Sequence, residues 1–338
     1  MSSTPRFSTA SSLDVVGIGN AIVDVLVQTE DQFLSDHNLS KGSMALVDED
    51  QAKSLYDASG PGLETSGGSA ANTLAGLAQL GSKAGFIGRV RDDQLGTIFI
   101  HDIQSVGTRF ETPAAVSGAS TARCLILVTS DAERTMCTYL GASTQLDPDD
   151  LDLSMVRDTK VLYLEGYLWD SPAAKKAFIT AAEACRESGG QVALSLSDGF
   201  CVDRHRESFL ELVDGHVDVL FANEDEIKSL YGAADFESAL EQVKGRCSVA
   251  VLTRSAQGSV VLCGDQRWEI PPYKLGDLVD TTGAGDLYAG GFLHGYTHDF
   301  PLDVCGKMGS ICAGQVVTQL GPRSKVSLPD LIAKHLDS

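Results

Sequence analysis

The sequence has few of the features that mark membrane, secreted and nucleic-acid-binding proteins. No apolar run approaches the roughly 20 residues that a transmembrane helix needs, and the Ser/Thr-rich opening lacks the apolar core of a secretory signal. Basic residues number 26 against 46 acidic ones, which gives a formal net charge of −20. We therefore expect a cytoplasmic protein that binds neither membranes nor nucleic acid, with a disordered tail over residues 1–12.

The eight cysteines also lack the spacing of a metal site, because none of them forms a Cys-x-x-Cys pair. Without a secretory signal they are expected to be free thiols in a reducing compartment. The acidic charge constrains the substrates as well, since an acidic protein repels anions at long range. Any phosphate site must then be built locally, from backbone N–H groups or a metal ion.

Apolar segments of strand length alternate with amphipathic segments of helix length along most of the chain. The apolar run KVLYLEGYL, for example, precedes a helix signal with Ser171 as its cap and proline next, and the apolar run QVALSLS follows. This alternation predicts a mainly parallel sheet with helices on both faces, formed by residues 13–23, 49–109 and 141–338. Residues 24–48 and 110–140 have hairpin-like alternation instead, and we expect them to form a small projecting β-sheet.

The segment VDTTGAGD, residues 279–286, places small residues between two acids. It follows a strand-like DLVD and precedes a helix signal, and a glycine-rich turn at a helix N-terminus directs several N–H groups toward one anion. Gly283 and Gly285 let the backbone approach that anion closely. Asp286, in the first helical turn, could then take a proton from a hydroxyl group that attacks the anion. The simpler alternative is that Asp286 stabilises the helix dipole and the glycines only form a turn.

Four segments together resemble the PfkB family of carbohydrate and nucleoside kinases, which has the ribokinase-like fold. DTTGAGD resembles the family signature, and GGSAANT (67–73) resembles its N-terminal glycine motif. NEDE (223–226) resembles the Asn-x-x-Glu motif, and LTRSAQGSVV (252–261) resembles the ATP-contacting loop. Their order and spacing match from about residue 13 to 330. The resemblance implies a doubly wound α/β kinase domain with a β-sheet lid, ATP as phosphoryl donor and Mg²⁺ as its metal ion.

The resemblance also implies roles in phosphoryl transfer. Asp286 would activate the acceptor hydroxyl group, while Gly283, Ala284 and Gly285 would supply N–H groups to the transferred phosphoryl group. The lid residue Arg134 would reach toward phosphate or substrate, although a lone arginine on a hairpin is more often solvated.

Further roles follow for the nucleotide and its metal ion. Asn223 and Glu226 would act on Mg²⁺ through its waters, and one turn of helix would bring both to the same side. Their alternative is a helix-capping asparagine and a solvated glutamate. Thr253 and Gly258 fall in the segment that would contact ATP.

The acceptor site is expected around Asn20 and Asp24, four positions apart in GNAIVDV. This spacing resembles the adenosine kinase branch, whereas ribokinase has the pair two apart. Positions four apart in one strand point to the same side, so Asp24 could accept from two vicinal ribose hydroxyl groups with Asn20 nearby. Gly67, Gly68 and Asn72 would complete the pocket. The expected acceptor is an adenosine-like nucleoside, phosphorylated at its primary hydroxyl group.

Alternatives to this acceptor and activity stay open. Tyr163, Tyr167 and Trp169 are candidates for stacking on a purine, but each could equally be core. A kinase acting on ribose, fructose or a related sugar is one alternative, and a non-catalytic nucleotide- or sugar-binding protein is another. The opening GIGNAI resembles a dinucleotide-binding fingerprint, but Ile22 occupies the position of its third glycine.

Two properties are only partly constrained. Some relatives use a monovalent cation near the anion site. The segment VTQLGPRS only partly follows the matching stretch, with Ser324 closer to Gly321 than in ribokinase, so the sequence does not require that cation here. The protein is expected to act as a monomer or homodimer on a small molecule.

Overall fold

The structure is a computed structural model that describes Phe7 and residues 11–131 and 133–336. The expected tail, 1–12, therefore lies mostly outside the described residues, but two of its positions are packed on the main domain. The Phe7 ring is buried edge-on against Tyr296, with ring centroids 5.7 Å apart. The Ser12 N–H group donates to Asp158 Oδ1 at 2.9 Å.

A nine-stranded sheet runs through the main domain. Its strands are β1 (Leu13–Ile18), β5 (Ala84–Ile87), β6 (Arg109–Phe110), β9 (Thr159–Glu165), β10 (Gln191–Ser195), β11 (Val219–Asn223), β12 (Val249–Thr253), β13 (Ser259–Cys263) and β14 (Gln266–Ile270). Their order is β14-β13-β12-β11-β10-β9-β1-β5-β6. All neighbours are parallel except the pairs β12–β13 and β13–β14. The predicted mainly parallel sheet is confirmed.

The helices are α1 (Asp31–Asp36), α2 (Glu49–Ala58), α3 (Ser69–Gln79), α4 (Gln94–Ser105), α5 (Leu153–Arg157), α6 (Pro172–Glu187), α7 (Gly199–His216), α8 (Glu224–Tyr231), α9 (Phe236–Val243), α10 (Ala284–Thr297), α11 (Leu302–Val316) and α12 (Leu328–Leu336). Most of them cover the two faces of this sheet, whereas α2 packs on a second, smaller sheet and α12 packs on α11. Val16 and Ile18 of β1 pack with residues of α5 to α9, whereas Val15 packs with α3, α4 and α10. None of the helices described here has the length and apolarity needed to span a membrane.

A second sheet of five strands forms the lid. Its strands are β2 (Ile22–Gln28), β3 (Met44–Leu46), β4 (Leu63–Gly67), β7 (Ala122–Val128) and β8 (Arg134–Tyr139), in the order β3-β8-β7-β2-β4. The hairpin expected in residues 110–140 is confirmed, because β7 and β8 pair antiparallel. Residues 24–48 form no hairpin, because α1 lies between β2 and β3 and these strands pair with β7 and β8 instead. The expected boundaries missed β4, which lies within 49–109 but pairs with β2. Its sequence LETSG lacks the apolar alternation that identifies a strand.

Candidate active site

The candidate site lies where the order of the large sheet reverses. β1 has β5 on one side and β9 on the other, and the chain continues outward in both directions from this pair. In open α/β sheets the carboxyl ends of the strands form a ligand crevice at such a point. Gly19 and Asn20 follow β1, and Glu165 ends β9. The N-termini of α3 and α10 meet the same crevice, since Ser69 of α3 contacts Asp286 of α10.

Residues 280–285 form the turn at which α10 begins, as predicted, and are named the anion turn. Gly283 is the N-terminal cap with φ 79°, a backbone conformation that favours glycine. A Cβ atom at this position would lie 2.6 Å from Cβ of Pro322, whereas one at Gly285 would meet nothing within 4 Å. Gly283 is therefore needed for its own backbone geometry, and Gly285 leaves open space over the helix N-terminus. The expected strand before the turn is wrong, because residues 277–280 form no regular element.

Only part of the turn is free to donate to an anion. The Ala284 N–H group bonds to the Thr281 carbonyl at 3.1 Å, so it is already engaged here, and its expected donation to a phosphoryl group stays a prediction. The N–H groups of Gly283 and Gly285 have no backbone partner in the part of the chain that the structure describes. Both N–H groups are therefore available to an anion at the turn.

Asp286 is held by α3 rather than by its own helix. Its Oδ1 accepts from Ser69 Oγ at 2.6 Å and its Oδ2 accepts from Asn72 Nδ2 at 3.2 Å. Burial raises the pKa of Asp286 to about 6, against the lowering effects of the two hydrogen bonds and of the Arg323 charge. The carboxylate is thus fixed in orientation, and it titrates close to neutral pH.

The two glycines before α3 permit a close approach between helix and lid. A Cβ atom at Gly67 would lie 2.3 Å from Asp24 Oδ2. Gly68 has φ 99°, and a Cβ atom there would lie 2.2 Å from the Asn20 carbonyl oxygen. The structure therefore brings Asp24, Gly67 and Gly68 together at the N-terminus of α3.

The Asp24 carboxylate is available to a ligand. It lies on β2, and no hydrogen-bond donor within residues 11–131 and 133–336 binds it. Burial raises the pKa of Asp24 to about 7, while the charges of Arg323 and Arg134 lower it and that of Asp286 raises it. Hydroxyl groups that donate to Asp24 would favour its ionised form.

Asn20 does not share a strand with Asp24, so the expectation based on their spacing is wrong. β1 ends at Ile18 in the large sheet, and β2 begins at Ile22 in the lid. Asn20 is 3% exposed, its Nδ2 donates to Glu165 Oε1 at 2.7 Å, and its Oδ1 accepts from Ser143 Oγ at 2.8 Å. Both the NH₂ group and the oxygen of its amide are therefore hydrogen-bonded, and Asn20 helps to hold the Glu165 carboxylate in place.

Glu165 connects the end of β9 to the start of α3. Its Oε2 accepts from the Ala70 N–H group at 2.8 Å, and its Oε1 accepts from the side chain and the N–H group of Asn20. Burial raises the pKa of Glu165 to about 7, against these hydrogen bonds. A Cβ atom at Gly19 would lie 2.4 Å from Glu165 Oε2, so Gly19 makes room for the carboxylate.

Arg134 joins the lid to the anion turn. Its Nη1 lies 2.5 Å from Asp280 Oδ2, and both side chains are largely buried. Asp280 Oδ1 in turn accepts from the backbone and side chain of Thr282 at 3.0 and 2.7 Å. Nε and Nη2 of Arg134 are buried without a hydrogen-bond partner. The structure therefore places Arg134 at the turn, with two donors unused.

The residues expected to contact the nucleotide and its metal ion lie together at the ends of β11 and β12. Asn223 and Thr253 are register partners, and Asn223 caps α8 by accepting from the Glu226 N–H group at 2.8 Å. Glu226 accepts from Asn223 N–H and Nδ2 at 2.9 and 2.6 Å. Gly258 has φ 85°, and a Cβ atom there would lie 2.0 Å from the Ile270 carbonyl oxygen.

Glu226 fits an indirect role toward a metal ion. It is 6% exposed, and burial raises its pKa to about 7. Each carboxylate oxygen accepts one bond from Asn223 and keeps a second lone pair. Among the residues described, no group of three or more His, Cys, Asp or Glu side chains could hold a metal ion. The free lone pairs of Glu226 suit a Mg²⁺ ion, which this carboxylate would hold through water.

Comparison with known proteins identifies the class. Residues 48–330 match the model of the pfkB family carbohydrate kinase. The chain belongs to this family. The structure is similar to adenosine kinase from Sinorhizobium meliloti, with TM-score 0.87 and 47% identity over 97% of this chain and 100% of that one. It is equally similar to a probable sugar kinase from Rhizobium etli, with TM-score 0.87 and 46% identity over 96% and 98% of the two chains.

A third relative extends the comparison to eukaryotes. Adenosine kinase from Saccharomyces cerevisiae is 25% identical over 331 residues, which cover 91% of this chain and 96% of that protein. This pfkB kinase thus has the ribokinase-like fold, and its relatives are kinases named for nucleoside or sugar acceptors. The choice between these acceptors depends on the walls of the pocket.

In this pfkB kinase the three aromatic candidates for stacking on a base differ in their exposure. Tyr163 is 1% exposed, and Trp169 is 3% exposed and packs against Phe178 and Phe209. Both are core residues. Tyr167 keeps 48% of its surface exposed. It is the candidate of the three that can meet a ligand.

Sequence reasoning missed three residues of the site. Ser69 stands inside GGSAANT, and its hydroxyl group could have been noticed there. One feature of the sequence indicated Glu165: it is an acid at the end of an apolar strand, and a buried acid must find partners. No feature of the sequence indicated Arg323, because its contacts with Ser66 and Asn72 span about 250 residues.

Proposed function

We propose that this kinase transfers the γ-phosphoryl group of ATP to the primary hydroxyl group of an adenosine-like nucleoside. The observation that carries the choice of acceptor is the inner face of the lid sheet. Side chains two apart in a strand point to the same face, and register places neighbouring strands side by side. This face carries a polar row, Asp24, Cys124 and Thr138, and beside it an apolar row, Leu26, Ile126 and Met136.

The inner face lies over the anion turn, because Arg134 belongs to it and contacts Asp280. The polar row would bind the hydroxyl groups of a ribose. The apolar row lies further along the strands and would cover a flat, weakly polar base. A simple sugar or sugar acid would leave the apolar row uncovered. Tyr167, with its exposed ring, is the proposed stacking partner of the base.

The residues of the crevice would divide the chemistry between them. Asp24 would accept from the vicinal hydroxyl groups and direct the primary hydroxyl group to Asp286, which would remove its proton. The N–H groups of Gly283 and Gly285 and the unused donors of Arg134 would stabilise charge on the transferred group.

ATP and its metal ion would occupy the crevice beside the acceptor. Mg²⁺ bound with ATP would neutralise phosphate charge, and Glu226, oriented by Asn223, would hold it through water. Thr253 and Gly258 would contact the nucleotide. The monovalent cation stays a prediction without support, because Asp280 beside the turn is already paired with Arg134.

The test is a panel of adenosine, other nucleosides, ribose, fructose and a keto-deoxy sugar acid, assayed for ADP release. We expect adenosine or a close analogue to give the highest kcat/KM. If a sugar exceeds every nucleoside by orders of magnitude, the nucleoside assignment is wrong and the sugar kinase alternative replaces it. Absence of turnover with every acceptor, together with tight ATP binding, would instead favour a binding protein.

A further inference from the structure

Arg323 lies outside the motifs discussed above, yet its side chain enters the site. It follows α11 in a loop, and its Nε donates to Asn72 Oδ1 at 3.1 Å. Its Nη2 donates to the Ser66 carbonyl oxygen at 2.6 Å and to Ser66 Oγ at 3.0 Å. Ser66 directly precedes Gly67, and Asn72 is the residue that donates to Asp286. One guanidinium group thus connects β4 to α3.

These contacts belong to a continuous series of hydrogen bonds. Asp102 Oδ2 on α4 accepts from Ser66 N–H and Oγ at 2.8 and 2.5 Å. From Ser66 the series continues through Arg323 and Asn72 to Asp286. A guanidinium group can only donate, so the oxygen of the Asn72 amide must face Arg323 and its NH₂ group must face Asp286. Arg323 therefore decides which end of that amide the base meets.

The loop that carries Arg323 is itself attached to the anion turn. The Gly321 N–H group donates to Asp280 Oδ2 at 2.9 Å, and Pro322 lies against Gly283. Three consecutive residues therefore each contact the turn or the helix that supports Asp286. Lys325, two positions further on, is exposed and makes no side-chain contact with the site.

Charge adds a second effect. The charge of Asp286 raises the pKa of Asp24 of β2, of Glu165 and Tyr163 of β9 and of Tyr167, and Arg323 is the charged group that acts on Asp286 itself. Arg323 is the cation of this set, and it lowers the pKa of both Asp24 and Asp286. Burial lowers the pKa of Arg323 itself, while the charges of Asp102, Asp24 and Asp286 raise it.

We propose that Arg323 is a positioning residue for phosphoryl transfer, which fixes the Asn72 amide against Asp286 and supplies the positive charge that offsets the two carboxylates of the site. The inference rests on the proposed role of Asp286 as the base. Arg323 would act through Asn72 and through its own positive charge, and it would not contact the reacting atoms.

The experiment compares Arg323→Gln, Arg323→Lys and the control Lys325→Gln, each with the best acceptor of the panel and at constant ionic strength. In Arg323→Gln we expect kcat to fall about 10- to 100-fold, the effect of a lost charged hydrogen bond. The acid limb of its kcat/KM profile should move up by about one pH unit, because the carboxylates lose a neighbouring cation. Lys325→Gln removes the same charge and should match the wild type.

Arg323→Lys separates the two effects. It should keep the acid limb near that of the wild type, since the charge remains. Its kcat should still fall about tenfold, because an ammonium group does not reproduce the fork that binds Asn72 and Ser66 together. An unchanged acid limb in Arg323→Gln overturns the electrostatic part, and wild-type kcat in Arg323→Lys overturns the positioning part. The result with Arg323→Lys decides the positioning part even if Arg323→Gln fails to fold.

Asp286→Asn, measured in the same series, distinguishes this inference from the proposed function. If Asp286→Asn retains activity, Asp286 is not the base, and the inference about Arg323 loses its premise. Activity lost in Asp286→Asn, with an unaltered pH profile in Arg323→Gln, overturns only the role of Arg323.

Discussion

Asp286 occupies the first turn of α10, where an acid could act simply by stabilising the helix dipole. Its contacts indicate otherwise, because both carboxylate oxygens accept from α3 and neither caps α10. An acid that served only the dipole would not need two donors from another helix. These donors fix its orientation toward the crevice, which is the requirement of a base.

The variant Asp286→Asn tests this assignment directly. Loss of a general base costs about 10²–10⁴ in rate, so we expect kcat to collapse while ATP affinity changes little. The thermal midpoint near pH 7 should hold or rise. The pKa of Asp286 is raised to about 6 in the folded protein, so near pH 7 its ionised carboxylate lowers the free energy of unfolding. Asparagine removes that charge.

Asp303→Asn is the matched control, because Asp303 also lies in the first turn of a helix, α11. It should cost roughly 0.3–1 kcal/mol in stability and leave kcat unchanged. An Asp286→Asn enzyme with more than about a tenth of wild-type kcat, well short of the loss expected for a base, would return Asp286 to the role of a helix-stabilising acid.

The pH dependence of the reaction follows from two carboxylates. In the proposed function both Asp24 and Asp286 would work in their ionised form, and their pKa values are raised to about 7 and about 6. We therefore expect kcat/KM for the acceptor to fall as the pH drops through about 7 and then about 6, with the two values belonging to the coupled pair. Measured from about pH 5 to 9, a flat profile through this range would contradict both assignments.

At the scale of elements, the lid and the main domain meet through Arg134 of β8 and Asp280 of the anion turn. The pair is largely buried, and two donors of Arg134 have no partner. Unsatisfied buried donors cost free energy, and phosphate oxygens would satisfy them. Ligand binding should therefore strengthen the contact between lid and main domain.

Hydrogen exchange measures this directly. With saturating acceptor we expect slower exchange in β7 and β8, because a closed lid excludes water from the site. The hairpin of β13 and β14, on the far edge of the large sheet, serves as the internal control and should exchange at its unliganded rate. If β7 and β8 also keep their unliganded rates, the small sheet does not act as a lid.

An element could be predicted from the sequence when the pattern that identifies it lies within its own residues. The parallel strands are continuous apolar runs, and the hairpin of β7 and β8 alternates around a polar turn, so both were predictable. Residues 277–280 have the apolar pattern of a strand, but the N–H groups of Val279 and Asp280 bond to the Val317 carbonyl at the end of α11 instead. Such a partner is distant in sequence and leaves no local pattern.

The same reason explains the errors in the site. The motif glycines, Asp24 and Asp286 lie in recognisable strings and come together as expected. Asn20 was misplaced because no local pattern shows that the chain leaves one sheet after β1 and enters another at β2. Glu165 and Arg323 act through partners more than 90 residues away, so only the fold reveals them.

At the scale of the whole molecule, the net charge of −20 should shape the kinetics. An acidic protein repels ATP before the local anion site can bind it. Raising the ionic strength from ~0.01 to ~0.15 M shortens the screening length to about 8 Å, so kcat/KM for ATP should rise about two- to fivefold. A neutral nucleoside should respond much less.

This difference also reports on the acceptor. If salt raises kcat/KM for the natural acceptor as much as for ATP, the acceptor is an anion such as a sugar acid, and the nucleoside assignment fails. Potassium and sodium salts should be compared at equal strength, so that screening is separated from any specific effect of a monovalent cation.

The connection between the two sheets is very short, since only Gly19, Asn20 and Ala21 separate β1 from β2. Asn20 is anchored to Glu165, and its carbonyl group lies against Gly68, so this linker runs along the pocket proposed for the acceptor. If the small sheet closes over the acceptor as predicted, this linker would be its hinge. A substitution that enlarges the pocket at α3 or Glu165 would then also change the angle of closure, so we expect substrate range and turnover to change together.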